Sequence, residues 1–193
     1  MPTPQPSIQS SVDLLLSPSG RAIAEAMENE LLQAIQHHLN QERQAHVAYF
    51  AAAIWCAERE LRGFASYFSE ESKNEHIHAE KFSEYLISRG QTIQLDSLER
   101  PKQSWISIED IMATSFLMES DLTTSLQQLY AMAERNSDIR TTVFLDPMIE
   151  KQNQAEHDFA HLLGRVRFAE NHPSALLIID NELNQGKHQP AQL

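Results

Sequence analysis

The chain reads as all-α: a four-helix bundle with one long crossover and a short fifth helix near the C-terminus. Three observations point there. Among 193 residues there are only 5 glycines and 8 prolines, five of the prolines near the ends, so the middle of the chain is poor in helix breakers. Four long segments repeat apolar residues in steps of three and four, the spacing that keeps side chains on one face of an α-helix. Between the second and third segments, residues 91–107 hold Pro101 and polar residues without periodicity, a connection long enough to carry the chain from one end of a bundle to the other.

Taken in order, residues 1–28 are broken by Pro2, Pro4, Pro6, Pro18 and Gly20 and are expected to form a flexible N-terminal extension, with Leu14 to Leu16 available as an anchor. A single domain is expected over 29–187, followed by a tail at 188–193. The first helix should run from about Glu30 to Ala57. The second should run from about Leu61 to Ser88, stopped by Gly90 as a C-terminal cap glycine, and the two should form an antiparallel hairpin. A third helix is expected after Ser107, where Glu109 and Asp110 place acids in a first turn that favours them, and should continue to about Glu134. Asn136, Ser137 and Asp138 read as the turn into a fourth helix from about Ile139 to Phe168, in which Pro147 should cause a kink or a lost hydrogen bond. After a stop at Asn171 to Ser174, Ala175 to about Leu183 is too short to stand alone and must bury its apolar run against something, a partner subunit being one option.

Net charge is −12, which argues against a nucleic-acid partner, because phosphate binding needs a basic surface. The lone Cys56 excludes an internal disulfide framework and fits a reducing compartment. No basic residue precedes an apolar run at the N-terminus, and the apolar stretch Ala48 to Ala57 is too short to span a bilayer, so a cytoplasmic protein with no membrane association is expected.

The chemistry lies in the inward stripes of the helices. The first gives Ile35, Leu39, Glu42, His46 and Tyr49, and the second Phe64, Phe68, Glu71, Glu75, His78, Phe82 and Tyr85. The third gives Met112, Ser115, Glu119, Leu122 and Leu126, and the fourth Leu145, Met148, Gln152, Ala155 and Phe159. Each stripe is apolar at its ends and polar near its middle. A carboxylate taken into a bundle core costs several kcal/mol unless compensated, and no Lys or Arg shares these stripes, so the acids call for a bound cation. Glu75 and His78 lie one turn apart on one face, a spacing that suits a shared metal. Carboxylates with a single imidazole fit iron better than zinc, whose structural sites favour thiolates.

From about residue 29 to 185 the chain resembles a bacterial non-haem ferritin, and the segments Ala57-Glu-Arg-Glu-Leu61 and Arg140-Thr-Thr-Val-Phe-Leu-Asp-Pro147 are similar to cyanobacterial ferritins. The resemblance implies an iron-storage ferritin with ferroxidase activity, oxidising Fe(II) with O2 at a centre of two irons per subunit and storing ferric mineral in a homo-oligomeric, octahedral 24-subunit cage. It implies that Glu42, Glu75 and His78 hold the first iron, that Glu75 bridges, and that Glu119 holds the second with Gln152 nearby. Tyr49, two turns after Glu42, is implied as an electron donor beside the irons. Glu71 is a second-line acid, either relaying iron or hydrogen-bonded within the pocket, and Asp146 and Glu150 are implied to line an inlet where subunits meet.

Two departures from the wider family matter. The fourth helix has Gln152-Asn-Gln-Ala155 where related di-iron enzymes carry a second Glu-x-x-His, and Asn74, Lys151, Gln154 and Ala155 occupy positions where other ferritins place acids around a third iron. No third site is expected. His46 falls outside the family pattern and reads as a pocket histidine, and the scattered methionines single out no haem ligand, so no haem is expected. A rubrerythrin-like peroxidase would want the second Glu-x-x-His and a cysteine module. A Dps-like mini-ferritin would lack the fifth helix.

Overall fold

The computed structural model describes residues 13–187; residues 1–12 and 188–193, the first part of the expected extension and the whole of the expected tail, lie outside the described residues. Among the described residues there are five helices: α1 Asn29–Ala57, α2 Arg62–Ser88, α3 Ile108–Arg135, α4 Ile139–Phe168 and α5 Pro173–Asn184. All five expected helices are present, with ends displaced by no more than two residues.

The boundaries follow from local chemistry. Glu28 caps α1, its carboxylate accepting from the Leu31 N–H at 3.0 Å. The chain reverses through Glu60, held at φ 59°, into α2. That helix ends where expected, with Gly90 at φ +73°; a Cβ there would also lie 2.5 Å from Ile23, so the left-handed turn and close packing both require glycine. Ser17 and Ile23 fill the space over Gly90, and the buried Met27 joins the core below. Leu14, Leu15 and Leu16 are exposed instead, so that part of the chain is anchored by Ser17, Ile23 and Met27.

The crossover runs along α1 as the bundle requires. Gln36 Oε1 accepts from the Gln94 N–H, Asn40 Oδ1 from the Asp96 N–H at 3.0 Å, and Gln44 Oε1 from the Glu99 N–H at 2.9 Å. These contacts climb two turns of α1, from Gln36 to Gln44. At its far end Trp105 meets Trp55 edge to face, 6.1 Å between ring centroids, and α3 begins. Ser107 caps it by accepting from the Asp110 N–H. Asp138 caps α4 and forms a buried ion pair with Arg89 at 2.9 Å, joining the end of α2 to the start of α4. Pro147 costs α4 at least one hydrogen bond, its ring having no N–H for the Val143 carbonyl, while the helix continues to Phe168.

Helix α5 starts at Pro173, two residues before the expected position, because a proline fits the first helical residue without loss. It packs within its own chain, with Ile179, Asp180 and Leu183 buried. Asp180 Oδ1 accepts from the Phe64 N–H at 2.9 Å, supplying the N-terminal cap that Leu61 cannot give α2. Gly63 makes the approach possible, since a Cβ there would stand 1.7 Å from the Asp180 carbonyl oxygen.

The apolar core is divided. One cluster gathers Tyr49, Phe64, Phe68, Met112, Phe159 and Val166, and the other Leu31, Ile35, Phe82, Leu126, Leu145 and Met148. Along α1, α2 and α4 the boundary between them falls at Glu42, Glu75 and Gln152. The polar layer therefore sits at mid-height, roofed and floored by hydrocarbon.

Candidate metal centre

Glu42 on α1, Glu75 on α2 and Glu119 on α3 are all buried, at 0%, 1% and 0% exposed, and Gln152 on α4 is buried with them. Two subsets stand out. Glu42, Glu75 and His78 each offer a ligand atom within 4.8 Å of one another. His78 Nδ1 lies 3.1 Å from Glu75 Oε2 and 3.8 Å from Glu42 Oε2. Glu119 is held apart in its own set of bonds: Tyr49 donates its hydroxyl to Oε1, and Gln152 Nε2 donates to Oε2 at 2.7 Å. Its charge still reaches the first group, raising the Glu75 carboxyl.

The electrostatics are those of too many acids in too little water. Burial, then the adjoining Glu42 carboxylate and its charge, push the Glu75 carboxyl well above the ordinary range. Burial pushes Glu42 upward as well, but its polar neighbours Glu75, His38 and His78 outweigh it and leave Glu42 below the usual carboxylate range. In the metal-free centre, then, a proton is favoured on Glu75 over Glu42. Burial also raises Glu119, opposed by the bonds from Tyr49 and Gln152. Among the described residues no Lys or Arg pairs with any of the three. A divalent cation would displace that proton and offset the charge of the layer.

Tyr49 is fully enclosed, stacked on Phe159 with 5.4 Å between centroids and on Phe68 at 6.0 Å. Burial first, and then the charges of Glu119 and Glu75, keep its phenol protonated. Glu71 is half-buried one turn from Glu75, with Asn74 Nδ2 at 3.5 Å; burial and the charge of Glu119 push it up to about 7. Asp146 and Glu150 are exposed on the outer face of α4, well separated from the polar layer in burial. His46 turns away from the acids and donates from Nδ1 to the Ser72 carbonyl at 2.7 Å, the hydrogen-bonded role expected of it.

One residue escaped the sequence reading. His38, fully buried on α1, places Nε2 3.0 Å from Glu42 Oε1 and Nδ1 2.8 Å from the Ser125 hydroxyl. Its position four residues before Glu42 was the available signal, since i and i+4 share a helix face. It fell outside the stripe because Leu39 occupies the adjoining inward place.

A profile of the ferritin-like domain matches residues 32–169. The chain is 32% identical over 133 residues to a bacterial non-heme ferritin of Staphylococcus epidermidis, spanning 69% of this chain and 80% of that protein. The chain belongs to the ferritin family, among the bacterial non-heme ferritins. A bacterial non-heme ferritin of Staphylococcus aureus is 27% identical over 157 residues, 81% of this chain and 95% of that one. These relatives are staphylococcal, so the likeness to cyanobacterial ferritins drawn from two short segments is not borne out: segments of five and eight residues distinguish lineages poorly. The bundle of this ferritin is also similar to an open-pore ferritin from the hyperthermophilic archaeon Archaeoglobus fulgidus, with a TM-score of 0.80 at 23% identity over 82% of this chain and 98% of that one. A closed form engineered from the Archaeoglobus protein superposes with a TM-score of 0.79 at 22% identity, over 86% and 100%. At those identities the likeness speaks for the fold alone.

Proposed function

We propose that this ferritin stores iron and is a ferroxidase, oxidising Fe(II) with O2 at a centre that takes two irons per subunit as substrate. The observation that supports this reading most is the convergence of three carboxylates and an imidazole at mid-bundle with no Lys or Arg among the described residues to balance them. Glu42 and His78 would hold the first iron, Glu75 would bridge, and Glu119 would hold the second with Gln152 as its neighbour. The anionic donors favour Fe(III) over Fe(II), which drives oxidation, and the sparse ligand set leaves positions for oxygen.

Tyr49 would supply an electron to complete the reduction. A buried phenol cannot give up an electron without losing its proton, and the hydrogen bond to Glu119 provides the acceptor for that proton. Glu71 would pass iron between the centre and the outside, its carboxyl exchanging proton for metal near neutral pH. Asp146 and Glu150 would line an inlet between subunits of a 24-subunit octahedral cage in the cytoplasm, with no haem. Among the described residues no helix is long and apolar enough to cross a membrane.

Mixing the metal-free protein with Fe(II) in air in a stopped-flow instrument tests the centre. Wild type should show a fast absorbance rise completed at two irons per subunit, and Glu75→Ala should lose that phase entirely. A fast phase of unchanged rate in the variant would remove the proposed centre.

A further inference from the structure

The two oxygens of Glu42 face different neighbours. Oε2 looks toward His78, 3.8 Å from Nδ1, on the side of the metal cluster. Oε1 looks toward His38, 3.0 Å from Nε2. Neither Oε1 nor Nε2 has an aligned hydrogen-bond partner, although both are completely buried. The His38 ring is fixed from two sides, edge-on to Phe82 with 4.7 Å between centroids, and at Nδ1 by the Ser125 hydroxyl of α3. Its own ligand atoms stand outside the group of three formed by Glu42, Glu75 and His78.

From this geometry we infer that His38, oriented by Ser125, is a positioning residue that holds Glu42 to one-oxygen attachment at the iron. The inference rests on the ferroxidase reading. A ring whose single proton sat on Nδ1 would turn a lone pair toward the Glu42 carboxylate, so the favoured arrangement has the Ser125 hydroxyl donating to Nδ1 and the proton on Nε2, 3.0 Å from Oε1 but out of line with it. When a metal draws on Oε2, the Nε2–H completes its bond to Oε1. Glu42 then cannot close both oxygens on the ion, and a coordination position at the first iron stays open to oxygen. Outer partners of this kind are known to set ligand orientation and metal affinity.

Cobalt(II), bound without oxygen, reports the coordination directly, because its visible absorption weakens as the ion goes from four or five ligands to six. In wild type and in His38→Gln, whose amide can donate from a similar place, the intensity per bound cobalt should be the same. In His38→Ala it should fall, with affinity reduced about 10- to 100-fold, and in Ser125→Ala it should fall by a smaller amount. Packing alone would lower the melting temperature and leave the absorption per cobalt unmoved. A His38→Ala spectrum that superimposes on wild type at saturation overturns the inference, as does a His38→Gln protein that binds one cobalt fewer, which would make His38 a ligand. Should His38→Ala fail to fold, an unaltered Ser125→Ala spectrum is the contradicting result. A wild-type protein that takes up no cobalt overturns the metal centre itself, a distinct failure.

Discussion

Glu75 and Tyr49 show how a single residue's surroundings set its role. With no cation present, Glu75 is held protonated by burial and by the neighbouring charge of Glu42, so metal must expel a proton to bind there. Tyr49 is enclosed by Phe68 and Phe159 and linked to Glu119, which makes it a poor acid; as the proposed donor it would release one electron and one proton together. Tyr49→Phe keeps the ring packing and removes that source. Oxidation of the first pair of irons should proceed at nearly the wild-type rate in stopped-flow traces, while completion of oxygen reduction slows about 100-fold or more, a loss of the size of one general acid–base contribution. Traces identical throughout would assign Tyr49 to packing. At this scale the sequence was legible where residues fell on a stripe, as Glu42, Glu75, His78, Glu119, Tyr49 and Gln152 do. It was not legible for His38, whose role depends on Ser125 from a helix 87 positions away.

At the scale of elements, the helices and the crossover could be read because periodicity, caps and breakers agree. Gly90, Ser107 and Asp138 each mark an end by local chemistry. What could not be read is anything set by contact between distant segments. The docking of α5 is the clearest instance: nothing local announces that Gly63 exists to admit the Asp180 carbonyl, or that Asp180 caps α2. The sequence left the partner of α5 open between its own chain and another subunit, and the structure places it on α2. Gly63→Ala should therefore force the two helices apart and cost about 1–3 kcal/mol, seen as a lower denaturation midpoint in urea with the α5 amides exchanging faster. Wild-type protection in α5 would mean that the contact is not tight. The Arg89–Asp138 pair is of the same kind, joining α2 to α4 by charges that no stripe connects.

Across the whole molecule, the acid layer divides one hydrophobic core into two and makes the metal-free bundle pay for its function in stability. Glu71, ordinarily 4.5, is pushed up to about 7, and Glu75 is raised as well. A folded-state shift upward contributes stability that is full below the unfolded value and is lost as pH rises through the folded value. Glu42 is shifted the other way, but its contribution is already complete above the ordinary carboxylate range and stays constant over this interval. The melting temperature of the metal-free protein should thus fall between about pH 5 and about pH 8, and added Co(II) should restore it most at the alkaline end. A flat profile, or one rising with pH, would mean that the acids are better solvated than their burial indicates. The most direct measurement is anomalous X-ray scattering from crystals soaked in Fe(II) without oxygen. Two peaks per subunit are expected in the polar layer, one within bonding distance of Glu42, Glu75 and His78 and one shared between Glu75 and Glu119. Iron density confined to the surface, with Glu42, Glu75 and Glu119 unliganded, would contradict the account.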